Sequence, residues 1–496
     1  MLLLCLLSSN LKAQDKTVEI LNSNEMQFVR RSEGDMKKLT GNVILKQGDV
    51  MMWCDSAFFK DWSNTVDAYG NVKLKQGDSI TLYCRELNYF GNEKKLIAKQ
   101  KVRLEKAKST LLSERIDYDL KTKTGWYLDG GRLLNDSTLL ISKIGYYHAG
   151  NGDAYFKEKV KLTNPHYSLM ADSFMYNVNT RTNFFTGATH ITTDSTKVYC
   201  EGGYYALSTG ESRFINHAHI ISKTQDVKAD RIDFNSKTSL GAAFGDVNFF
   251  DSMQRIRILA GEAHFNQQTN FLKTFQNPIL QTLLDKDTLY INADTLTSFV
   301  QIDSIKKMDT VKHRLLLAYY HVRMYSRKFQ AVCDSSTYNF SDSAFHLFYQ
   351  PILWVGSNQL SGDTIFIYTK RNKIEHLTMM QKAMIVERLH PKLFNQVAGK
   401  NIIGYFKENE LHEMLVEGNA ESVYFSTDSK KAFTGVNKSN AGRMRFEFKE
   451  GKMDKIYFYE QPDATFYPMR HLNFKQLNLK NFKWCGGLRP TFSMFK

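Results

Sequence analysis

The sequence predicts an all-β fold, an elongated stacked solenoid of eleven to twelve repeats of about 29 residues. Three observations predict it. The stretch "GNVILKQGDV" at 41–50 returns almost unchanged as "GNVKLKQGDS" at 70–79. A second signature (small residue, two polar residues, apolar, any, aromatic) recurs from "CDSAFF" (54–59) and "CRELNY" (84–89) to "SGDTIF" (361–366), with successive starts 28 to 40 residues apart. The composition also suits strands, with 34 Phe and 25 Tyr against 7 Pro. A fixed internal period of this size marks stacked units, none of which can bury its apolar face alone.

One copy shows the physics. Val72 and Leu74 alternate with Lys73 and Lys75, which is a strand with one wet face. Gly77-Asp78 is turn chemistry, after which Ile80, Leu82 and Cys84 alternate with Thr81 and Tyr83. Beyond Cys84 the apolar set changes parity to Leu87 and Tyr89. A strand does this only at a bulge or corner, so Arg85-Glu86 is expected to bend the chain from one wall to the next. Each unit is then about four short strands, and at ~4.8 Å between strands eleven units reach roughly 50 to 100 Å.

The organisation along the chain follows from where the period holds. Residues 1–13, with the apolar run Leu2–Leu7, read as a secretory signal, whole or truncated, which implies export. The repeat region is 14–300. At 301–315 the period stretches to 40, which implies an insertion or bend. A divergent continuation covers 316–425, and 426–496 reads as a degenerate end cap and tail.

Net charge is +15, from 66 basic and 51 acidic residues. Such a surplus suits anionic partners. The basic residues are spread along the chain without a concentrated block, so no nucleic acid is expected. Cys54, Cys84, Cys200 and Cys333 share a repeat slot that other units fill with Ser113, Ala171 or Ala229. Such a slot is a tight core position, a Cys54–Cys84 disulfide being the alternative. No CxxC pair occurs, His217 and His219 lack further ligands, and "HEMLV" (412–416) has Val416 where a zinc helix needs its second His, so no metal is expected. Neither a nucleophile elbow nor a phosphate loop is present. The expectation is a protein that is not an enzyme and needs no cofactor.

"LTGNVILKQGDVMMWCDSAFF" followed by "AYGNVKLKQGDSITLYCRELNYF" resembles the OstA/LptA-like (organic solvent tolerance protein A-like) family of lipopolysaccharide-transport proteins. The likeness is recognisable over about 17–300. It implies an open β-jellyroll, or β-taco, whose apolar interior shields acyl chains in the periplasm, in association with outer-membrane biogenesis. It further implies lipopolysaccharide or a related anionic glycolipid as ligand, with other envelope transport components, or the chain itself by edge-strand stacking, as partners. The groove-lining candidates are Val43, Leu45, Val72, Leu74, Ile80 and Leu82, then Leu87, Tyr89, Val102, Leu104, Ile116 and Tyr118, and finally Phe174, Tyr176, Ile232 and Phe234. Burying a lipid chain gains about 0.8 kcal/mol per methylene, so even a partial groove would hold one. The competing readings are that these side chains fill a closed core, and that the chain is a structural or interaction β-solenoid of the envelope without lipid transport.

Overall fold

The computed structural model describes residues 17–496 except 33, 78–79, 107, 149, 285–286, 307–308, 371–372, 408–409, 431, 450–451 and 473–476. The signal expected at 1–13 lies outside the described residues. Nearly all the regular structure is antiparallel β, in two units, one ending at Lys223 and one running from Thr224 to Lys496.

In the first unit the strands Met36–Gln47, Val50–Lys60, Thr65–Gln76, Ile80–Phe90, Lys95–Lys106 and Ser109–Asp119 each pair with the next. The parity change predicted at Arg85-Glu86 is present: Leu82 and Cys84 are buried before it, and Leu87 and Tyr89 after it. The neighbouring strand accommodates the bend. Tyr69 pairs with Glu86 and Val72 with Cys84, so Gly70 and Asn71 together stand opposite Arg85. Both are left-handed, with φ of 72° and 39°. Glycine suits the first position because a Cβ there would strike the Asp55 carboxylate, while the Asn71 amide donates to Asp55 Oδ2 at 2.9 Å. The "GN" that opens the boxes at 41 and 70 is therefore a corner itself. A left-handed pair recurs at Gly41-Asn42, Gln100-Lys101, Glu158-Lys159 and Asn216-His217.

These corners bend one continuous strand, so the early repeats consist of two long strands and not four short ones. Over 124–148 pairing breaks at the corners and four separate strands appear, Thr124–Tyr127, Gly131–Asn135, Thr138–Ser142 and Ile144–His148. Apolar residues from both sides of the bend share one core, as with Val66 and Ala68 before it and Val72 and Leu74 after it. The two arms thus form two walls over a common interior, and each fully buried Leu or Val contributes roughly 1.5–3 kcal/mol. Far from the corner the walls are tied: Tyr89 Oη donates to Gln47 Oε1 at 2.5 Å, and Gln47 Nε2 to the Gly91 carbonyl at 3.3 Å. Cys54 and Cys84 are buried free thiols. Their strands are separated by a third, a spacing of about 9.6 Å that exceeds disulfide reach.

The second unit repeats the plan, with left-handed corner pairs at Gly245-Asp246, Gln276-Asn277, Tyr320-His321 and Gln381-Lys382. The stretch 301–315 lengthens a hairpin between Thr295–Lys306 and Asp309–Tyr325. Strands then grow to 18 residues in Lys373–His390 and Glu410–Thr427. After the edge strand Asp463–Pro468 the chain returns across the unit. Leu477 and Leu479 pack with Met384, Val386 and Val423. Further on, Arg489 Nε donates to Gln330 Oε1 at 2.6 Å, and Phe492 and Phe495 lie against Tyr290 and Tyr325. The tail follows a single register row, Tyr290–Tyr325–Gln330–Trp354–Gln359–Val386–Gln396–Val423. This row is on the face away from the core, because the core-facing neighbours are Ala331, Leu353 and Leu360.

Candidate functional site: the apolar interior

In the first unit the walls leave a cavity of about 220 Å³, lined by Leu104, Leu111, Ile116, Tyr118, Tyr127 and Phe156, among others. Alternation points these side chains inward, while Gly125 and Gly145 are shaped around Tyr118 and Tyr127, whose rings occupy the space a Cβ would need. Burial pushes the Tyr118 and Tyr127 hydroxyls up from their ordinary pKa, and Tyr127 Oη shares a hydrogen bond with Ser142 Oγ at 2.6 Å. Lys106 marks one side of the cavity; its Nζ donates to Tyr147 Oη at 3.0 Å and stands 5.2 Å over the ring. An aromatic file continues inside, Phe156–Phe174–Phe185–Phe214, with centroids 6.2 to 6.5 Å apart.

A larger chamber of about 470 Å³ lies within the second unit. Leu377, Met379, Ile402, Met414 and Phe446 line it, and Glu387, Asn395 and Tyr424 bring polar groups to it. Asn395 Nδ2 donates to Glu387 Oε2 at 2.9 Å, and Asn395 Oδ1 accepts the Phe425 N–H at 2.9 Å. Burial first, then the Glu387 charge, raises the Tyr424 pKa, so its hydroxyl stays a neutral donor at physiological pH. An apolar pocket with a few convergent polar groups is the ordinary form of a site for an amphipathic ligand.

The structure divides the sixteen lining candidates. Ile80, Leu104, Ile116, Tyr118 and Tyr176 border the 220 Å³ cavity. Val43, Leu45, Val72, Leu74, Leu82, Leu87, Tyr89 and Val102 are buried in the packed core of residues 18–120. Phe174 belongs to the aromatic file, Ile232 is fully buried, and Phe234 stacks on Phe265 at 6.2 Å. The chamber of the second unit was not reached by sequence reasoning, because the repeat signature fades there. Alternating pairs such as Leu377/Met379 and Met414/Val416 are the signal that could have found it.

The chain is similar to known proteins over part of its length. Residues 15–172 match the family of OstA-like proteins. The OstA-like segment contains the GN corners, the packed core and most of the lining of the 220 Å³ cavity. Among solved structures, a match is LptH from Pseudomonas aeruginosa, described as the LptA-homologous periplasmic component of the lipopolysaccharide transport device. Identity is 15%, the alignment covers 30% of this chain and 80% of that one, and the TM-score is 0.15. No curated protein matches the chain.

Proposed function

We propose that the protein is a non-catalytic periplasmic carrier that shields the acyl chains of lipopolysaccharide, or of a related anionic glycolipid, during transport to the outer membrane. The observation that carries the reading is unfilled apolar space between the walls: about 220 Å³ beside the OstA-like corners and about 470 Å³ in the second unit. Methylenes entering such space gain about 0.8 kcal/mol each, while Lys106 in one cavity and Asn395 in the other offer donors to a headgroup or ester. The dense core of residues 18–120 supports a structural role for that stretch, a wall that holds its neighbours in register.

The test is mass spectrometry of lipids retained on the full chain purified from envelope without detergent exchange. Stoichiometric acyl lipid is expected, and because Leu411 also lines the larger chamber, Leu411→Trp, which fills it, should reduce the lipid severalfold while leaving the fold intact. Folded protein carrying only trace lipid would overturn the reading.

A further inference from the structure

In the first unit a basic residue follows the corner at nearly constant spacing: Lys73, Arg103, Arg132, Lys161, His190 and His219, separated by 30, 29, 29, 29 and 29 residues. Register places them in one straight row, each separated from the next by an apolar or aromatic residue. Lys73 and Arg103 flank Tyr83, Arg132 and Lys161 flank Ile141, and His190 and His219 flank Tyr199. The row faces away from the core, since the alternate residues Val72, Val102 and Val160 are the buried ones. Successive members of the row are two strands apart, about 9.6 Å, so the six positions extend over about 50 Å. A second row on the same face adds Lys46, Lys75 and Lys197 and carries two acids, Glu19 beside Lys46 and Glu105, the latter bonded to Arg103 at 3.2 Å.

The strip is narrow. On the corner side Asp55, Glu114, Glu158, Asp172 and Glu201 lie among Arg85, Lys101, Lys143 and Lys159, and the turns on the other side carry Asp49, Asp136 and Asp194 with Lys108. A plane of negative charge would press on those acids; a thread would not. The second unit shows what this kind of face accepts. There the register row four residues beyond the corner, the equivalent of the Lys46–Lys75 row, is covered by the chain's own extended tail, which crosses strand after strand. That tail has Lys480, Lys483, Arg489 and Lys496 and no acid between 477 and 496, so charge excludes it from the basic strip.

We propose that the strip on the first unit receives an extended, acidic polypeptide segment of a partner protein, laid across the strands. In an extended chain of polyproline-II type, with three residues per turn and about 3.1 Å per residue, every third residue returns to one face about 9.3 Å further on, so a carboxylate at every third position meets a basic side chain at each repeat. Between them, apolar side chains settle on Leu112, Ile141 and Met170, the last of which is 56% exposed. This surface is separate from the interior proposed for lipid.

The experiment is fluorescence anisotropy on the full chain with a synthetic peptide of eight Glu-Leu-Ser repeats. The comparisons are a peptide of identical composition with its glutamates in one block, a heparin fragment, and vesicles of phosphatidylcholine and phosphatidylglycerol. The spaced peptide should bind most tightly. Arg132→Glu with Lys161→Glu should weaken it about tenfold or more, and Arg132→Lys with Lys161→Arg should retain it. Lys73→Gln gives a milder loss that keeps the test valid if the double reversal fails to fold. Equal binding of the block peptide, tighter binding of heparin or vesicles, or indifference to these variants would overturn the proposal.

Discussion

The side-chain amide of Gln359 is bonded to the backbone around Cys485, 126 residues away: Oε1 accepts the Cys485 N–H at 2.6 Å and Nε2 donates to the Lys483 carbonyl at 2.7 Å. One side chain thereby does what a neighbouring strand would do. Gln396 bonds the tail similarly, accepting the Leu479 N–H at 2.9 Å. Gln359 is 2% exposed, so Gln359→Leu strands a donor and an acceptor of the tail away from water. The expected cost is about 1–3 kcal/mol. Hydrogen exchange should show faster exchange at Leu479 and Cys485, with the amides of 36–119 unchanged; unaltered protection in the tail would refute it.

Gly70 makes the second prediction. With φ of 72° and the Asp55 carboxylate against its Cβ position, it has no room for a side chain. Gly70→Val imposes both a left-handed β-branched residue and a clash, and should destabilise the first unit by about 1–3 kcal/mol in urea unfolding. Asn71→Gly keeps the conformation and loses only the 2.9 Å bond to Asp55, so a much smaller effect is expected. Equal losses would show that the corner does not depend on the glycine.

The contrast between those two residues explains what was legible. The parity change at Arg85 can be seen in one strand's letters, because side-chain alternation is local. The basic strip cannot, because Lys73, Arg103 and Arg132 become neighbours only once the register is set. Spread evenly in sequence, they appear as a solvated surface; folded, they form a file. The tail was illegible for a related reason: its partners Gln330, Gln359 and Gln396 occupy ordinary outward slots, and nothing local marks them as covered. The chamber of the second unit was hidden because volume depends on how far apart the walls stand, which alternation does not encode.

The buried thiols predict a pH dependence. Burial, with the Asp55 charge second, pushes Cys54 up to about 12 from an ordinary value near 9, and burial pushes Cys84 to about 12 as well. Below pH ~9 both are protonated whether the chain is folded or not, so their contribution is fully present. Above it the unfolded chain releases protons that the folded chain retains, and stability falls as pH rises towards about 12. Each thiol contributes a slope of about 1.4 kcal/mol per pH unit in that window. Urea unfolding from pH 8 to 11 should show the decline, and Cys84→Ala should flatten it. Rapid labelling of native Cys84 by a thiol reagent at pH 8 would contradict the buried, protonated state.

Arg314 and Asp251 form an ion pair inside the second unit, Nη1 to Oδ2 at 3.3 Å, with side chains 19% and 6% exposed. The carboxylate is otherwise occupied locally: Oδ1 accepts the N–H groups of Met253 and Gln254 at 3.0 and 3.1 Å, which shapes the turn that follows. Arg314 Nε in turn donates to Ser298 Oγ at 3.1 Å. Removing the cation alone, as in Arg314→Met, leaves a buried charge and should cost about 3–5 kcal/mol. Adding Asp251→Asn removes that charge while keeping an acceptor for the turn, so the double variant should recover much of the loss. A double-mutant cycle in urea measures this directly. If the double variant were less stable than Arg314→Met by the full cost of Asp251→Asn alone, the two side chains would be acting independently and the pair would have no energetic role.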